Sequence, residues 1–414
     1  MKVYFKTFGC RSNIFDTQLM ISQLESHTLS NEEDADIIVI NSCTVTNNAD
    51  KSLKEYISKI KKQNKKIIFT GCALQSVGRQ FYDKSVIFGA FGHSKKAQID
   101  TLLNAKEAFF YENDLKAIDS TPLKKVSGKT RAFIKVQEGC NFKCSYCIIP
   151  QVRGKARSLN RNLILNQIAT LADSGISEVI LSGTNLGSYG KDTNDTLPNL
   201  ILDIAKISGI KRIRLGSLEP SQIKEDFLDI LDLPIMERHL HIAIQHTHNQ
   251  MLKVMNRINR FERDSALFEL IAKKGFALGS DFIVAHPEES EEVFEIAFKN
   301  LQSMPLTHIH CFIYSPRNGT KSALMPNTIP KQLAKERLNR VKSLIDSNNL
   351  NFRNKIREQN NALNILVESK KGEFFYGFDE FFNKIAIKSS QNLAGKWLKL
   401  SSFNTKKDIN YAEI

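Results

Sequence analysis

The sequence of 414 residues lacks any uninterrupted apolar run of about 18 residues, so it offers no obvious membrane span. It also lacks the pattern of a secretory signal. Lysines interrupt the short apolar run between Met1 and Cys10, and no small-residue cleavage site follows. This start is typical of a first β-strand, and we expect a cytoplasmic protein with no membrane partner.

Acidic residues are scarce relative to basic ones. The chain has 44 aspartates and glutamates against 58 lysines and arginines, a formal net charge of +14. Such a surplus favours a polyanionic partner, although many basic proteins bind none. The apolar fraction of 42% is that of an ordinary globular chain, and the length allows two or three domains.

The seven cysteines do not suggest a disulfide framework, because clustered thiols in a reducing compartment more often bind metal or carry out chemistry. In the first ~115 residues, three apolar runs each end in a tight turn and a cysteine, namely Cys10, Cys43 and Cys72. Helix-like segments lie between them, at about 13–26 and 48–64. This alternation predicts parallel strands whose following loops share one sheet edge, where the three thiols can converge if the strands are neighbours.

The rest of the chain divides into a linker, a second α/β region and a β-like tail. Periodicity weakens over about 112–130, which we interpret as the linker. Strands are predicted at 131–137, 178–183, 211–216, 239–245, 278–284 and 308–314, with helices near 161–174, 198–208, 221–231, 262–274 and 289–302. The fold class is therefore α/β, with an amino-terminal parallel sheet and a central partial (β/α)6 barrel. A basic helix at about 330–347 precedes short β-like runs from about 352, which suggest a small OB-like β-barrel. The predicted domains are 1–115, 126–350 and 351–414.

The strongest motif lies directly after the first predicted barrel strand. Cys140, Cys144 and Cys147 are spaced by three and then two residues, so one short loop can present three thiolates to a four-iron cluster. The fourth iron then stays open for a cosubstrate. Zinc would need a fourth ligand and is usually bound by two separated pairs, and chance clustering is the other alternative. Cys311 has no partner motif and is expected to pack within a strand.

The spacing Cys-x-x-x-Cys-x-x-Cys resembles the hallmark of radical S-adenosylmethionine (SAM) enzymes. The longer run from Val136 to Gly154 is similar to the methylthiotransferase version of that motif. Three further blocks also match this family: Thr7 to Asn13, Asn41 to Thr44 and Thr70 to Ala73. The resemblance covers essentially the whole chain, in the family's order of cysteine domain, radical domain and small β-barrel, the TRAM module.

The resemblance implies two [4Fe-4S] clusters and SAM as cofactors. Cys140, Cys144 and Cys147 would hold the radical cluster. Cys10, Cys43 and Cys72 would hold a second cluster that carries the sulfur. The family's cosubstrate pocket maps onto Tyr146, Gly183, Asn185, Ser217, Glu219, Gln245, Arg257 and Asp281. No side chain is expected to act as a general base, in keeping with a radical step.

Two loops depart from the family pattern. The usual small residues after the pocket glutamine are replaced by His246-Thr-His248, and the usual Gly-Phe-Pro-Gly-Glu turn reads Ala285-His-Pro-Glu-Glu289. The bulk and charge put the local pocket geometry in doubt and could tune substrate choice. The histidines at 239, 241, 246 and 248 could form a metal site, but pocket lining or packing is the favoured interpretation.

The resemblance implies a tRNA methylthiotransferase that modifies C2 of N6-threonylcarbamoyladenosine beside the anticodon. The Cys147-Ile-Ile-Pro150 and Phe8-Gly-Cys-Arg11 runs favour that group. The alternatives are enzymes acting on N6-isopentenyladenosine or on a ribosomal-protein aspartate, and a non-enzymatic RNA-binding iron–sulfur protein. Segment 321–358 carries nine basic residues against three acids, and 129–161 carries eight against one, which suits an RNA stem–loop. The expected partners are the tRNA anticodon stem–loop, an electron donor such as flavodoxin or ferredoxin, and a sulfur donor.

Overall fold

The structure is a computed structural model that describes residues 1–44, 47–123, 130–326 and 328–414. The linker predicted over 112–130 lies in part, at 124–129, outside the described residues. Three regions of regular structure follow one another along the chain. Each has its own hydrophobic core, and the amino-terminal sheet is covered by apolar clusters on both faces.

The amino-terminal region is a parallel sheet in the described part of the chain, with the strand order β2-β1-β3-β4-β5-β6. Its strands are β1 (Lys2–Thr7), β2 (Thr28–Leu29), β3 (Ile37–Ser42), β4 (Lys66–Gly71), β5 (Gly89–Phe91) and β6 (Phe109–Tyr111). Its helices are α1 (Arg11–Ser22), α2 (Asn47–Lys61), α3 (Gly78–Asp83) and α4 (Ile99–Leu103). Strand β3 is buried along its whole length, as expected for a parallel strand covered by helices on both faces.

The central region has six parallel strands that lie in chain order, the arrangement of an open (β/α)6 barrel. The strands are β7 (Arg131–Glu138), β9 (Glu178–Gly183), β10 (Arg212–Leu215), β11 (His239–His241), β12 (Ala277–Val284) and β13 (Leu306–Ile313), while β8 (Arg157–Ser158) pairs antiparallel with β7. Parallel bridges such as Ile213–Met236 and Leu218–Ile242 join the β10 side to the β11 side. The helices are α5 (Ile149–Arg153), α6 (Arg161–Asp173), α7 (Leu197–Ile204), α8 (Glu225–Ile230), α9 (Asn249–Val254), α10 (Phe261–Lys273) and α11 (Glu291–Ser303).

Two sequence expectations need correction here. The strand predicted over 239–245 ends at His241, because the chain beyond it makes only single bridges to neighbouring strands. The helix predicted to end near 347 is α12 (Lys331–Glu358), so position 351 lies inside a helix. Its last turns stay helical because Arg353 is buried and donates to the backbone oxygens of Lys406 (2.8 Å) and Lys407 (2.6 Å).

The carboxy-terminal region is a mainly antiparallel sheet with the order β17-β14-β15-β16-β19-β18. Its strands are β14 (Leu363–Lys371), β15 (Phe374–Phe378), β16 (Lys384–Lys388), β17 (Trp397–Leu400), β18 (Asn404–Thr405) and β19 (Asn410–Glu413). It docks on the central strands, since Trp397 donates to Ser177 (2.8 Å) and Arg214 donates to the Asp379 backbone oxygen (2.8 Å). Within the described residues, every helix is too short or too polar to cross a membrane.

Candidate functional site

The amino-terminal cysteines all follow the carboxyl ends of hydrogen-bonded neighbours. Strand β3 pairs in parallel with β1 on one side and with β4 on the other. Cys10 comes after β1 and precedes α1, Cys43 follows β3 directly, and Cys72 follows β4 directly. The structure thus resolves the strand order that the sequence left open. It brings the three cysteines to adjacent positions on one sheet edge.

Two glycines permit this close approach. Gly9 has φ +106°, and a Cβ there would lie 2.5 Å from Cβ and 2.9 Å from Sγ of Cys43. Gly71 has φ +101°, and a Cβ there would lie 2.3 Å from the Ser42 backbone oxygen. Only glycine adopts this backbone without strain and leaves the space free. The loops that carry Cys10 and Cys72 therefore pack directly on the Cys43 loop.

Asn13 ties these loops together from the first turns of α1. Its side-chain nitrogen donates to the backbone oxygens of Phe8 (2.7 Å) and Ser42 (2.8 Å). Its side-chain oxygen accepts from Arg153 of the central region (2.5 Å). Arg153 also donates through Nε to Sγ of Cys72 (3.3 Å). One buried asparagine therefore joins two cysteine loops of the amino-terminal edge to the region of the central cysteines.

The central cysteines lie on the loop between β7 and α5. The loop starts at Gly139, which has φ +79° and whose Cβ would lie 2.0 Å from the Lys155 backbone oxygen. The Cys140 amide donates to the Gly154 backbone oxygen (3.0 Å), and the Cys147 amide donates to the Cys144 backbone oxygen (3.1 Å). These contacts fold the loop back on itself, so the three cysteines stand within one short turn.

Ser145, between the second and third cysteines, anchors the loop to the opposite side of the barrel. Its amide donates to the Met255 backbone oxygen (2.9 Å), and its hydroxyl donates to the Val254 backbone oxygen (2.9 Å). Ser322 donates its hydroxyl to that of Ser145 (2.8 Å) and contacts His286 Nε2 (2.8 Å). The loop is therefore held in position by backbone and side-chain contacts before any cofactor binds.

The thiols suit iron–sulfur clusters in their chemistry. Burial raises the pKa of Cys72, Cys140 and Cys144, and burial together with the neighbouring thiols raises the pKa of Cys147 to about 12. Thiols that are close together and costly to ionise without a counter-charge are ligands that a cationic cluster can deprotonate. The Asn185 side-chain nitrogen lies 3.5 Å from Cys140 Sγ, and its buried oxygen has no partner among the described residues. The donor set on this loop fits a cluster and an additional polar ligand.

A buried charge network connects the two cysteine groups. Arg153 pairs with Glu138 (2.5 Å) and Asp16 (3.2 Å), and Lys135 bridges the same two carboxylates (3.1 Å to Asp16 and 3.2 Å to Glu138). Lys96 binds Asp16 from the other side. Burial opposes ionisation of both acids, but the adjacent cations keep their pKa values below the usual range. The network places cationic charge beside Cys72.

Sequence reasoning gave these network residues no role. The available signal was a charged residue inside an apolar element: Lys135 interrupts strand β7, and Arg153 is the one charged residue of the short helix α5. Such residues are buried only when they are paired. Their partners come from the amino-terminal region, which a linear reading of the chain cannot supply.

The predicted cosubstrate residues cluster around one ion pair. Arg257 binds Glu219 through two hydrogen bonds (2.5 and 3.1 Å), and its Nη1 lies 3.8 Å from Cys144 Sγ. Ser217 is exposed two residues before Glu219. Tyr146 packs against His286 with ring centroids 6.5 Å apart. These four residues thus surround the central loop from the carboxyl ends of the strands.

The other predicted pocket residues lie at neighbouring strand ends. A Cβ on Gly183 would lie 2.8 Å from the side-chain oxygen of Gln137, which accepts from the Asn185 amide (2.8 Å). Gln245 has φ +66°, and its amide donates to the Asp281 backbone oxygen (2.9 Å). A non-glycine residue in this conformation is strained and is often found at functional sites.

Asp281 faces two histidines. Its Oδ1 lies 3.1 Å from His241 Nε2 and 3.4 Å from His310 Nδ1. Burial opposes its ionisation, but the histidines hold the pKa of Asp281 below its usual range. The four histidines considered from sequence take other roles, since His246 stacks on Phe282 with centroids 5.0 Å apart, and the close His–Asp–His group includes His310 instead.

The departing turn keeps a glycine-like backbone without glycine. Ala285 has φ +58° and Glu288 has φ +71°. Glu289 stabilises the turn because its carboxylate accepts from the Ala285 amide (2.6 Å) and pairs with Arg337 (2.7 Å). The doubt raised by the unusual residues therefore reduces to local strain, and the path of the backbone is retained. Cys311 is buried in β13, as expected.

The comparisons with known proteins agree with this construction. Residues 2–90 match the uncharacterized protein family UPF0004, and residues 134–301 match the radical SAM superfamily. The fold is similar to that of the radical SAM methyltransferase TsrM from Kitasatospora setae. The TM-score is 0.59 at 14% identity, over 78% of this chain and 77% of that one. The chain is thus a radical SAM enzyme, with SAM and [4Fe-4S] clusters as its cofactors.

Relatives narrow the class further. A Helicobacter pylori (strain J99) protein with the provisional name methylthiotransferase is 49% identical over 99% of both chains. The threonylcarbamoyladenosine tRNA methylthiotransferase MtaB of Aquifex aeolicus is 34% identical over 83% of this chain and 88% of its own. A tRNA-2-methylthio-N(6)-dimethylallyladenosine synthase of Thermosipho melanesiensis is 31% identical over 100% and 99%. The chain belongs to the MtaB-like radical SAM methylthiotransferases, a family of transferases that carry two clusters.

Proposed function

We propose that the chain attaches a methylthio group to C2 of N6-threonylcarbamoyladenosine in tRNA. The observation that carries this proposal is the link between the two cysteine groups. Arg153 donates to Cys72 Sγ, and the backbone oxygen of the next residue, Gly154, accepts from the Cys140 amide. A substrate bound beside this link can meet both groups at once, which a transfer of sulfur to a radical carbon requires.

In this proposal each cysteine group holds one cluster with an open iron. Cys140, Cys144 and Cys147 bind the cluster that supplies the 5′-deoxyadenosyl radical from SAM, and Cys10, Cys43 and Cys72 bind the cluster that supplies the sulfur. Asn185 is close enough to Cys140 to bind the amino acid part of SAM with its free side-chain oxygen. Glu219 accepts the ribose hydroxyls, and Arg257 holds that carboxylate in place through two hydrogen bonds. A physiological electron donor, such as flavodoxin or ferredoxin, and a sulfur donor complete the system.

The carboxy-terminal sheet is proposed to bind the RNA, in the manner of a TRAM module, with domains near 1–115, 126–350 and 351–414. Its exposed lysines support this role: Lys370, Lys371, Lys384, Lys396, Lys399, Lys406 and Lys407. Because the salt dependence of RNA binding reports phosphate contacts, reversing the charge of Lys396 and Lys399 should lower affinity. It should also shallow the slope of log affinity against log salt by about one unit per phosphate lost. The matched control reverses the exposed Lys54 and Lys61 of α2.

The deciding experiment uses the anaerobically reconstituted protein with SAM, reductant, sulfide and synthetic anticodon stem–loops. One RNA carries N6-threonylcarbamoyladenosine and the other N6-dimethylallyladenosine, and nucleosides are identified by mass spectrometry. The 2-methylthio product should form on the threonylcarbamoyl RNA. Product on the dimethylallyl RNA alone would assign the chain to the other substrate. No product on either, together with methylthiolation of an aspartate in added ribosomes, would point to the protein substrate.

A further inference from the structure

We infer that Arg11 is the residue that recognises the substrate's N6 substituent, by binding the carboxylate of the threonylcarbamoyl group. This inference rests on the proposed function and names the part of the substrate that one cavity accepts. The cavity has a volume of about 400 Å³ and is formed by all three regions of the chain. Cavities at such junctions are common sites for small-molecule recognition.

Each region contributes chemically distinct groups to the wall. The amino-terminal region supplies Arg11, and the barrel supplies His241 and His310. The carboxy-terminal sheet supplies Phe382 and Lys384. Phe382 has φ +65° and stacks on His239 with centroids 5.2 Å apart. The wall thus combines aromatic faces with fixed cations, a composition suited to a flat base with an anionic substituent.

Arg11 is held in place but is not neutralised. Its Nη1 donates to the Leu215 backbone oxygen (3.0 Å), and its guanidinium lies 5.7 Å from the centre of the Phe382 ring. Within the described part of the chain it forms no ion pair, whereas other guanidiniums of this interior do, such as Arg214 with Glu178 (2.9 Å). An arginine has five N–H donors, so most of its capacity remains for a ligand.

The nearby carboxylates have partners of their own or lie in solvent. Asp281 faces His241 and His310, and Glu237 accepts from Arg214 (2.6 Å) and the Leu215 amide (2.8 Å). The acids of the cavity lining, Asp346 and Asp408, are exposed. The lining therefore presents an unsatisfied guanidinium to an incoming group. A carboxylate can accept two parallel hydrogen bonds from it.

The position of Arg11 suits the geometry of the substrate. C2 and C6 of adenine both flank N1, so a substituent on N6 lies on the same side of the ring as the reacting C2. Arg11 directly follows Cys10, one of the residues proposed to hold the sulfur-supplying cluster. An apolar dimethylallyl group would leave the guanidinium desolvated without a partner, which is unfavourable. The cavity thus favours the carboxylate-bearing substituent over the apolar one.

The test is a cycle that changes both the arginine and the carboxylate. Holoenzyme and the Arg11→Gln variant are each tested with stem–loop RNA carrying N6-threonylcarbamoyladenosine or its methyl ester, which removes the negative charge. Dissociation constants are measured anaerobically without reductant, and methylthio product is measured separately. Loss of a charged hydrogen-bond pair is expected to weaken binding by about 10- to 100-fold. The ester should cost wild type this much and cost Arg11→Gln little more. Arg11→Lys should restore part of the affinity.

Each outcome distinguishes this inference from the proposed function. If wild type makes no product on threonylcarbamoyl RNA, the proposed substrate fails. If wild type makes product but the two single changes add in full, Arg11 does not bind the carboxylate and the inference fails alone. Equal weakening of both RNAs by Arg11→Gln would assign the guanidinium to a phosphate and would also overturn it. Arg79→Gln removes an exposed cation paired with Asp83 (3.0 Å) and controls for net charge. Iron content checks that Arg11→Gln keeps its cysteine loops.

Discussion

The two cysteine groups contain the same number of thiols but are built in different ways. The central group spans Cys140 to Cys147, within one loop whose shape is set by its own backbone contacts. The amino-terminal group spans Cys10 to Cys72 and exists only because β1, β3 and β4 pair in parallel order. A local loop can be recognised from spacing alone, whereas an edge formed by several strands depends on long-range pairing. The amino-terminal group should therefore be the more sensitive to changes in packing.

The groups also differ in what surrounds their sulfurs. The central loop meets Arg257 and Asn185 from its own barrel. The amino-terminal edge receives its guanidinium, Arg153, from the neighbouring region. The second group is thus completed by a residue outside its own sheet. We expect loss of the contact between the regions to affect Cys10, Cys43 and Cys72 before it affects the central loop.

The largest expected effect is the loss of radical formation when the central loop loses a thiol. Replacing Cys140, Cys144 or Cys147 with Ala leaves two ligands, too few to keep a site-differentiated cluster. Formation of 5′-deoxyadenosine should fall below detection, while the amino-terminal cluster remains measurable by iron content. Cleavage of SAM at the wild-type rate by such a variant would refute the assignment.

The second effect separates the two groups. Replacing Cys10, Cys43 and Cys72 together with Ala should leave about half of the iron, because one of two four-iron clusters is lost. SAM cleavage should continue, but no methylthio product should form. Iron analysis and product analysis on the same preparation provide the check. An unchanged iron content would show that these cysteines hold no cluster.

A smaller effect tests the sensitivity of the multi-strand edge. Gly9→Ala places a Cβ against Cys43 and forces alanine to φ +106°, a conformation that costs about 1–2 kcal/mol before the overlap is counted. Iron in the amino-terminal cluster should fall, with radical formation retained. Gly175→Ala is the matched control, because Gly175 has φ +93° with nothing within 4 Å of its Cβ position. It should lose stability yet keep all its iron, and equal iron loss in both variants would contradict the role of close packing.

The smallest effect concerns the strained turn beside the central loop. Ala285→Gly and Glu288→Gly relieve positive φ angles, a gain of about 1–2 kcal/mol each, partly offset by about 0.5–1 kcal/mol of added freedom in the unfolded chain. Urea unfolding should show each variant to be more stable by up to about 1 kcal/mol. Ala266→Gly, at an exposed position in α10, should instead destabilise by about 1 kcal/mol. Destabilisation by all three would argue against strain at the turn.

The sequence alone determined the elements and the chemistry that depend on local pattern. Strand and helix periodicity located most barrel elements to within a few residues. The spacing of Cys140, Cys144 and Cys147 indicated a cluster without reference to any fold. Turn glycines such as Gly9 and Gly71 marked where strands end. These signals are readable because each concerns residues that are close together in the chain.

Tertiary structure alone decided what depends on distant residues. The adjacency of β1, β3 and β4 follows from hydrophobic burial of a whole sheet, which no single strand specifies. The continuation of α12 past 351 depends on the sheet that receives Arg353. The pairing of Arg153 with Asp16 and Cys72, and the entry of Arg11 into a cavity shared by three regions, join residues far apart in the chain. A buried charge needs a partner, but only the folded chain determines which partner is within reach.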